Sequence, residues 1–210
     1  MTNPIQGAKI VFFGADAAQD VQYLDLWRSV PLTYTLGQAA DDSFRRDHYE
    51  VTLTPITDRD TFMRAADNLL RYRFYPPSLM HHVSDFSLQQ RWMQVGDRLV
   101  QRIRTPMPFG LTIMEGITMN EIARVIDEPR RKGFTYVTTA AHEEIGEWSA
   151  QVEWQADNAL VLTVNAISKT SERIPRWMLP YTRRMQKQAH QQGIEYFIYK
   201  LFHELYAGQP

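Results

Sequence analysis

The chain has 210 residues, of which 44% are hydrophobic and 22% are charged, an ordinary composition for a folded globular domain. Its 23 Lys and Arg residues nearly balance 24 Asp and Glu residues, so the formal net charge of −1 provides no overall field that favours nucleic acid. The absence of cysteine excludes disulfides, thiol catalysis and cysteine-rich metal sites.

Residues 1–30 are expected to form an arm that precedes one domain of residues 31–210. Residues 9–14 predict a short buried strand that ends in a turn at Gly14, and residues 16–27 predict a short helix. A strand, a glycine turn and a helix can open a nucleotide-binding fold, but a second glycine and following β–α repeats are missing. An arm that packs on the main domain is therefore the favoured interpretation.

No apolar run approaches the roughly 18 residues that a bilayer-spanning helix needs. The first four residues also lack the basic start of a signal peptide. A cytoplasmic location is the default expectation.

The middle of the chain predicts one helix and then a series of antiparallel strands. Residues 58–74 have one apolar helical face, with Thr57 or Asp58 as a cap and Pro76 beyond the end. Strand alternation is clearest from Trp148 to Trp154, where apolar residues alternate with polar ones. The predicted strands cover residues 99–104, 111–114, 117–126, 134–138, 147–155 and 160–166, with turns at 127–133 and 155–158.

The last segment predicts a long helix. Pro175 suits a first helical turn, whereas Pro180 predicts a kink or a restart. From Tyr181 to Tyr206 an apolar stripe continues for about 25 residues, or about 38 Å, with Gly193 as a soft spot. Short connections favour an antiparallel sheet, and the long helix is the obvious cover for one of its faces. The predicted fold is therefore α+β, a curved antiparallel sheet wrapped around the C-terminal helix, with a cavity between them.

Several motifs resemble the bacterial and plant family DUF1990, over residues from about 31 to 206. The strongest stretch is residues 127–136, Asp-Glu-Pro-Arg-Arg-Lys-Gly-Phe-Thr-Tyr, and an early mark is residues 32–34, Leu-Thr-Tyr. The other matching positions are Gly37, Thr138, His142, Glu144, Gly146, Glu147, Ser168, Trp177, Pro180, Gln186 and Tyr196. The resemblance implies similarity to the START-like helix-grip superfamily (SRPBCC). Many of its members hold apolar molecules in a pocket, and a few are enzymes.

The candidate catalytic residues are His142, Glu144 and Glu147. If the flanking strands are neighbours, these residues lie in the hairpin loop between them. A histidine oriented by a carboxylate can transfer protons or contact a polar ligand group. The same groups could also ligate a metal. The plainer alternative is a solvated acidic turn, which the sequence favours slightly; no metal site and no cofactor are predicted.

The candidate ligand-binding residues fall into two groups. Hydroxyls of Tyr34, Tyr136 and Thr138 on a sheet face could orient a ligand in the cavity, or could simply bond to nearby backbone. The second group would supply apolar surface and comprises Trp148, Trp177, Tyr181 and Met185. A plain packed core is the alternative interpretation for these.

The segment from Lys169 to Lys187 holds six basic residues and one acid. Contact with an anionic membrane surface is compatible with this charge, but the wet face of a helix is favoured. His190, on the final helix, is interpreted as a surface residue.

These patterns together predict a protein that binds a small hydrophobic or amphipathic ligand and no nucleic acid. The alternative on the same frame is an enzyme (a cyclase, isomerase or hydrolase) that uses His142 as acid or base. A third interpretation is an interaction protein with a filled interior. Oligomeric state, ligand and pathway do not follow from the sequence.

Overall fold

The computed structural model describes residues 9–12, 18–38, 41–106 and 113–206, with the backbone alone at 9–12, 18, 105–106, 113–114 and 206. The predicted turn at Gly14 and the start of the predicted strand 111–114 lie outside these residues.

One antiparallel sheet of eight strands forms the body of the described chain. Seven strands follow the order β2-β8-β7-β6-β5-β4-β3, and β1 pairs with the first part of β5, beside the part that pairs with β6. The strands are β1 Lys9–Phe12, β2 Arg45–Thr54, β3 Met80–Ser84, β4 Arg98–Pro106, β5 Ile113–Asp127, β6 Arg131–Thr138, β7 Glu144–Trp154 and β8 Leu160–Thr170.

The described residues also form four helices. They are α1 Ala18–Leu26, α2 Arg59–Leu70, α3 Asp85–Leu88 and α4 Leu179–Tyr206, and a 3₁₀ turn, Arg176–Met178, precedes α4. The main core lies between the sheet and α2 with the C-terminal half of α4, where Phe62, Phe134 and Phe197 are almost fully buried. The α+β helix-grip architecture predicted from the sequence is confirmed.

Helix α2 ends at Leu70, four residues before its predicted end, because a capping turn closes its C-terminus. Asp58 caps the start, as expected, and accepts a hydrogen bond from the Thr61 N–H. At the other end the Arg73 N–H bonds to the Asn68 carbonyl and the Tyr72 N–H to the Leu69 carbonyl, the pattern of a Schellman motif. Tyr72 holds the left-handed position of this motif, with φ of 58°. Glycine usually occupies that position, so the sequence carried no signal for this end.

Helix α4 runs without interruption for 28 residues, about 42 Å. Of the two outcomes predicted at Pro180, the restart is correct and the kink is not: the 3₁₀ turn ends at Met178 and α4 begins at Leu179. Pro180 therefore stands in the first turn, where its missing N–H costs no hydrogen bond. Gly193 lies where the helix backbone packs closely on Phe74 and Tyr75. A Cβ there would lie 2.4 Å from Cε1 of Phe74 and 2.9 Å from Cε1 of Tyr75.

The outer face of the sheet is covered in part by α1. Leu24 and Trp27 pack with Val100 and Met119 of the sheet in a second apolar cluster. Beside it Asp20 pairs with Arg102, which also donates to Glu115, and all three side chains are buried. A buried ion pair therefore joins α1 to β4. Strand β1 runs antiparallel to β5, whereas the first strands of a nucleotide-binding fold are parallel.

Candidate functional site

A cavity of about 360 Å³ lies between the inner face of the sheet and the N-terminal half of α4. Strands β4 to β8 form its floor, the Tyr75–Met80 segment one wall, and the segment from Thr170 to His190 its roof. Its lining is mostly apolar, a character typical of ligand pockets in proteins.

The cavity follows from a difference between the two halves of α4. Residues Ile194, Phe197 and Leu201 are buried and belong to the main core. Tyr181, Met185 and Ala189, one to three turns earlier on the helix, are only partly buried and line the cavity. The helix packs closely on Phe74 at Gly193, whereas its N-terminal half is separated from the sheet by the cavity.

Aromatic rings line the floor and one wall. Tyr136 and Trp148 are cross-strand neighbours on β6 and β7, and their rings stack with centroids 5.4 Å apart and an interplanar angle of 16°. The ring of Tyr75 lies 6.2 Å from that of Trp148. Burial raises the pKa of the Tyr75 and Tyr136 phenols, and the nearby Glu144 carboxylate adds to both shifts. These rings are therefore neutral and fixed in place by their neighbours.

His142 lies in the short connection between β6 and β7 and lines the cavity. Its Nδ1 accepts a hydrogen bond of 2.8 Å from the backbone N–H of Glu144. Burial lowers the pKa of the ring to about 4, so the imidazole is neutral at pH 7 and carries its proton on Nε2. Nε2 makes no hydrogen bond to any described residue. A neutral N–H donor is thus available to a ligand.

The structure corrects how the histidine is oriented. The expected orienting group was a carboxylate of Glu144 or Glu147, but the backbone N–H of Glu144 occupies Nδ1. A carboxylate can only accept hydrogen bonds, so it cannot replace an N–H donor at an accepting nitrogen. Both glutamates also lie inside β7 and not in a loop. A solvated acidic turn does not describe Glu144, which begins β7, is partly buried and is hydrogen-bonded to Gln186 of α4.

Glu144 lies on the same face of β7 as Trp148, because side chains two residues apart on a strand share a face. Its carboxylate accepts a hydrogen bond of 2.8 Å from Nε2 of Gln186 on α4, and the same nitrogen donates to Oγ of Ser168 at 3.0 Å. Burial raises the pKa of Glu144, and the Ser168 hydroxyl opposes part of that rise. The partners of this carboxylate are neutral groups.

Gln186 also contacts the ion pair between Arg183 and Asp47. Arg183 donates to both carboxylate oxygens of Asp47 on β2, and to Oε1 of Gln186 at 2.6 Å. His190 lies one turn beyond Gln186, is 5% exposed, and has Nδ1 4.0 Å from Asp47 without a hydrogen bond among the described residues. Burial lowers the pKa of His190 to about 4. The interpretation of His190 as a surface residue is therefore wrong.

Two of the predicted site residues belong to the opposite face of the sheet. Tyr34 packs with Phe44 and Val137 and donates to the Gln38 carbonyl, so it does not line the cavity. Glu147 borders the cavity, but strand alternation directs its side chain away from it. Burial raises the pKa of Glu147, the Gly37 N–H opposes that rise, and the same carboxylate adds to the raised pKa of Tyr34.

The other predicted residues are placed as follows. Tyr181 and Met185 line the cavity roof. Thr138 also lines the cavity, but its Oγ1 accepts from the Gly146 N–H at 2.9 Å and contacts the Thr33 hydroxyl at the same distance. Trp177 is 78% exposed on the 3₁₀ turn and does not line the cavity, because the turn directs it to solvent.

Sequence reasoning missed Gln186, His190 and Tyr75 as cavity residues. A usable signal existed for two of them. Gln186, His190, Phe197 and Leu201 follow the spacing of one helical face, which the buried Phe197 and Leu201 direct inward. Tyr75 follows the Schellman motif and had no such signal.

Two other features of the described residues were considered. A shallow depression at the β5–β6 turn is lined only by the charged residues around Pro129 and by Glu153. Among the described residues, no three histidine or acidic side chains are arranged to hold a metal ion. No helix within the described ranges is long and apolar enough to cross a membrane.

Comparison with protein families confirms the resemblance noted in the sequence. The family model described as Domain of unknown function (DUF1990) matches residues 31–195, well over half of the chain. Comparison with curated proteins finds no match.

Comparison with solved structures finds weak similarities. A hypothetical protein, jhp0584, from Helicobacter pylori has a TM-score of 0.48 at 10% identity, covering 79% of this chain and 90% of that one. Ara h 8.0201 has a TM-score of 0.45 at 14% identity, covering 76% and 98%. The di-domain ARO/CYC StfQ from the steffimycin biosynthetic pathway has a TM-score of 0.48 at 10% identity, covering 79% and 52%. Similarity at this level does not bear on activity.

Proposed function

The chain belongs to the family described as Domain of unknown function (DUF1990), and we propose that it binds a small hydrophobic or amphipathic molecule in the cavity beneath α4. The observation that supports this proposal is the cavity itself, about 360 Å³ with mostly apolar walls. Cores are usually packed with few voids larger than a water molecule, so a hollow of this size between well-packed layers fits a ligand site.

The apolar walls of the cavity would provide affinity for the ligand, and its polar groups would orient the ligand. Burial of apolar ligand surface against Trp148 and Met185 contributes roughly 25 cal/mol per Å² removed from water. The free Nε2–H of His142 would donate to an oxygen of the ligand. A molecule with an apolar body and one polar end matches this lining.

The proposal is tested with phenylnaphthylamine, a neutral dye whose fluorescence rises in apolar surroundings. The wild-type protein should bind it, and Ala189→Trp should weaken binding at least about tenfold because the indole fills the cavity from the roof. Gln188→Trp, on the exposed side of the same helix, is the matched control and should bind normally. Equal binding by all three proteins, or no binding by the wild type, would contradict the proposal, provided that circular dichroism confirms folding.

A second candidate is an enzyme at the same site, and one observation favours it. His142 is a neutral imidazole with a fixed tautomer in a cavity, and groups with strongly shifted pKa values cluster at catalytic sites. Its Nε2–H would donate a hydrogen bond that polarises an oxygen of the reacting molecule, and Glu144, whose pKa is raised by burial, would exchange a proton nearby.

The enzyme candidate is tested without a known substrate. Wild-type protein and His142→Gln are incubated with metabolite extracts, and mass spectrometry follows which small molecules are consumed. Consumption by the wild type that is lost in His142→Gln supports catalysis. Extracts that stay unchanged with the wild type, or that change equally with both proteins, rule out the assigned role of His142.

A further inference from the structure

Glu144 is a partly buried carboxylate that forms no ion pair with a cation among the described residues. Its hydrogen-bond partners are the neutral side chains of Gln186 and Ser168. Arg183, whose charge acts on Glu144, is already paired with both oxygens of Asp47. Burial raises the pKa of Glu144, and the charges of Arg183 and Arg45 oppose that rise without forming an ion pair with it. A cation that enters the cavity can therefore pair directly with a carboxylate that is partly removed from water.

The other titratable groups that line the cavity do not supply that cation. Burial lowers the pKa of His142 and of His190 to about 4, so both rings are neutral at pH 7. Arg104 donates to Glu115 at 3.0 Å. Arg173 is exposed, and it donates to the Ala140 carbonyl at 3.0 Å.

The remaining acids near the cavity differ from Glu144 in position. Glu143 is half-buried, and Arg173 partly offsets the rise in its pKa that burial causes. Glu147 projects from the outer face of β7, where the Gly37 N–H bonds to it. Glu144 is therefore the anion that a ligand inside the cavity would meet.

Aromatic rings line the cavity beside this carboxylate. Tyr136 stacks on Trp148, and Tyr75 lies next to Trp148. The face of an aromatic ring carries negative charge and attracts cations, so rings together with a carboxylate form the type of site that recognises alkylammonium groups. The influence of Glu144 on the pKa of the Tyr75 and Tyr136 phenols agrees with their closeness.

We infer that the cavity selects amphipathic ligands that carry a protonated amino group, and that Glu144 binds this group. The apolar body of the ligand then lies against Trp148 and Met185 under α4. This inference rests on the proposed ligand-binding function and names the ligand class for the same cavity.

The test compares three probes that share a phenyl ring at the end of a butyl chain and differ only in the polar end: phenylbutylamine, phenylbutanol and phenylbutanoate. Each displaces phenylnaphthylamine from the cavity in a competition titration at pH 7. Wild-type protein should bind the amine about tenfold or more tighter than the alcohol, because charge-assisted hydrogen bonds are stronger than neutral ones. The carboxylate should bind weakest, since it meets a like charge.

Two acid-to-amide variants from the same strand assign the effect to a residue. Glu144→Gln should lose most of the amine preference and bind the alcohol within about threefold of wild type. Glu147→Gln, on the opposite face of β7, should keep the wild-type preference. Melting temperature and circular dichroism identify any variant that fails to fold, and the three-probe comparison on wild type needs no variant.

The outcomes separate this inference from the proposed function. Equal binding of amine and alcohol by the wild type overturns the amine selectivity, while the dye titration still supports a ligand cavity. An amine preference that persists in a folded Glu144→Gln overturns the assignment to Glu144. Failure of the dye and of all three probes overturns both the proposed function and the inference.

Discussion

Stability should fall between pH 7.5 and pH 5 through His190 in a way that can be measured. Burial lowers the pKa of this ring from 6.5 to about 4 in the folded protein, with Asp47 raising it in part and Arg183 lowering it. The unfolded chain therefore binds a proton in this range and the folded chain does not. The contribution of the neutral ring is fully present above pH 6.5 and is lost as the pH falls toward 4.

The size of the effect follows from the two pKa values. The difference in proton binding lowers the free energy of unfolding by about 2 kcal/mol at pH 5, and the loss levels off at about 3 kcal/mol below both pKa values, where the folded ring is protonated too. Wild type and His190→Gln are compared by urea unfolding at several pH values. Groups that titrate in both proteins cancel in the difference, so the wild type should lose about 2 kcal/mol more than the variant between pH 7.5 and pH 5.

The exposed ring of His48 provides the control for loss of an imidazole. His48→Gln should stay within about 0.5 kcal/mol of the wild-type curve, because a substitution at an exposed position changes stability little. A wild-type and His190→Gln pair whose stability difference changes by less than about 0.5 kcal/mol over this range would refute the reasoning.

Two further predictions concern packing. Gly193→Ala should lower the free energy of unfolding by about 1 to 2 kcal/mol because the added methyl overlaps Phe74, although alanine normally stabilises a helix interior. Urea unfolding measures this loss, which should be smaller when Phe74→Leu is also present. A Gly193→Ala variant that is more stable than the wild type would refute the prediction. Asp20→Asn should lower the free energy of unfolding by about 3 kcal/mol and speed amide hydrogen exchange in α1, because Arg102 loses a buried anion. Unchanged exchange in α1 would show that this ion pair does not hold the helix on the sheet.

The sequence predicted those parts of the fold that depend on regular periodicity. The alternation from Trp148 to Trp154 placed β7, and the apolar stripe from Tyr181 placed α4. Strand β2, Arg45–Thr54, was missed because its charged edge residues hide the alternation, and β3, Met80–Ser84, because it is short.

The candidate site was predicted less completely because it depends on contacts between distant segments. The His142 segment was identified, yet the backbone contact at Nδ1 and the position of Glu144 under Gln186 depend on where α4 crosses the sheet. Trp177 shares a segment with the cavity residues, and only the 3₁₀ turn decides that it faces solvent. Local pattern could not supply either result.

The most direct test of the ligand cavity uses isotope-labelled methionine methyl groups in an NMR titration with phenylbutanol. Met80, Met178 and Met185 line the cavity, whereas Met93 and Met119 are buried elsewhere. A bound ligand should shift the first three methyl signals and leave the other two in place. Signals that stay unchanged throughout, or shifts at Met119 as large as those at Met185, would contradict a ligand-binding cavity beneath α4.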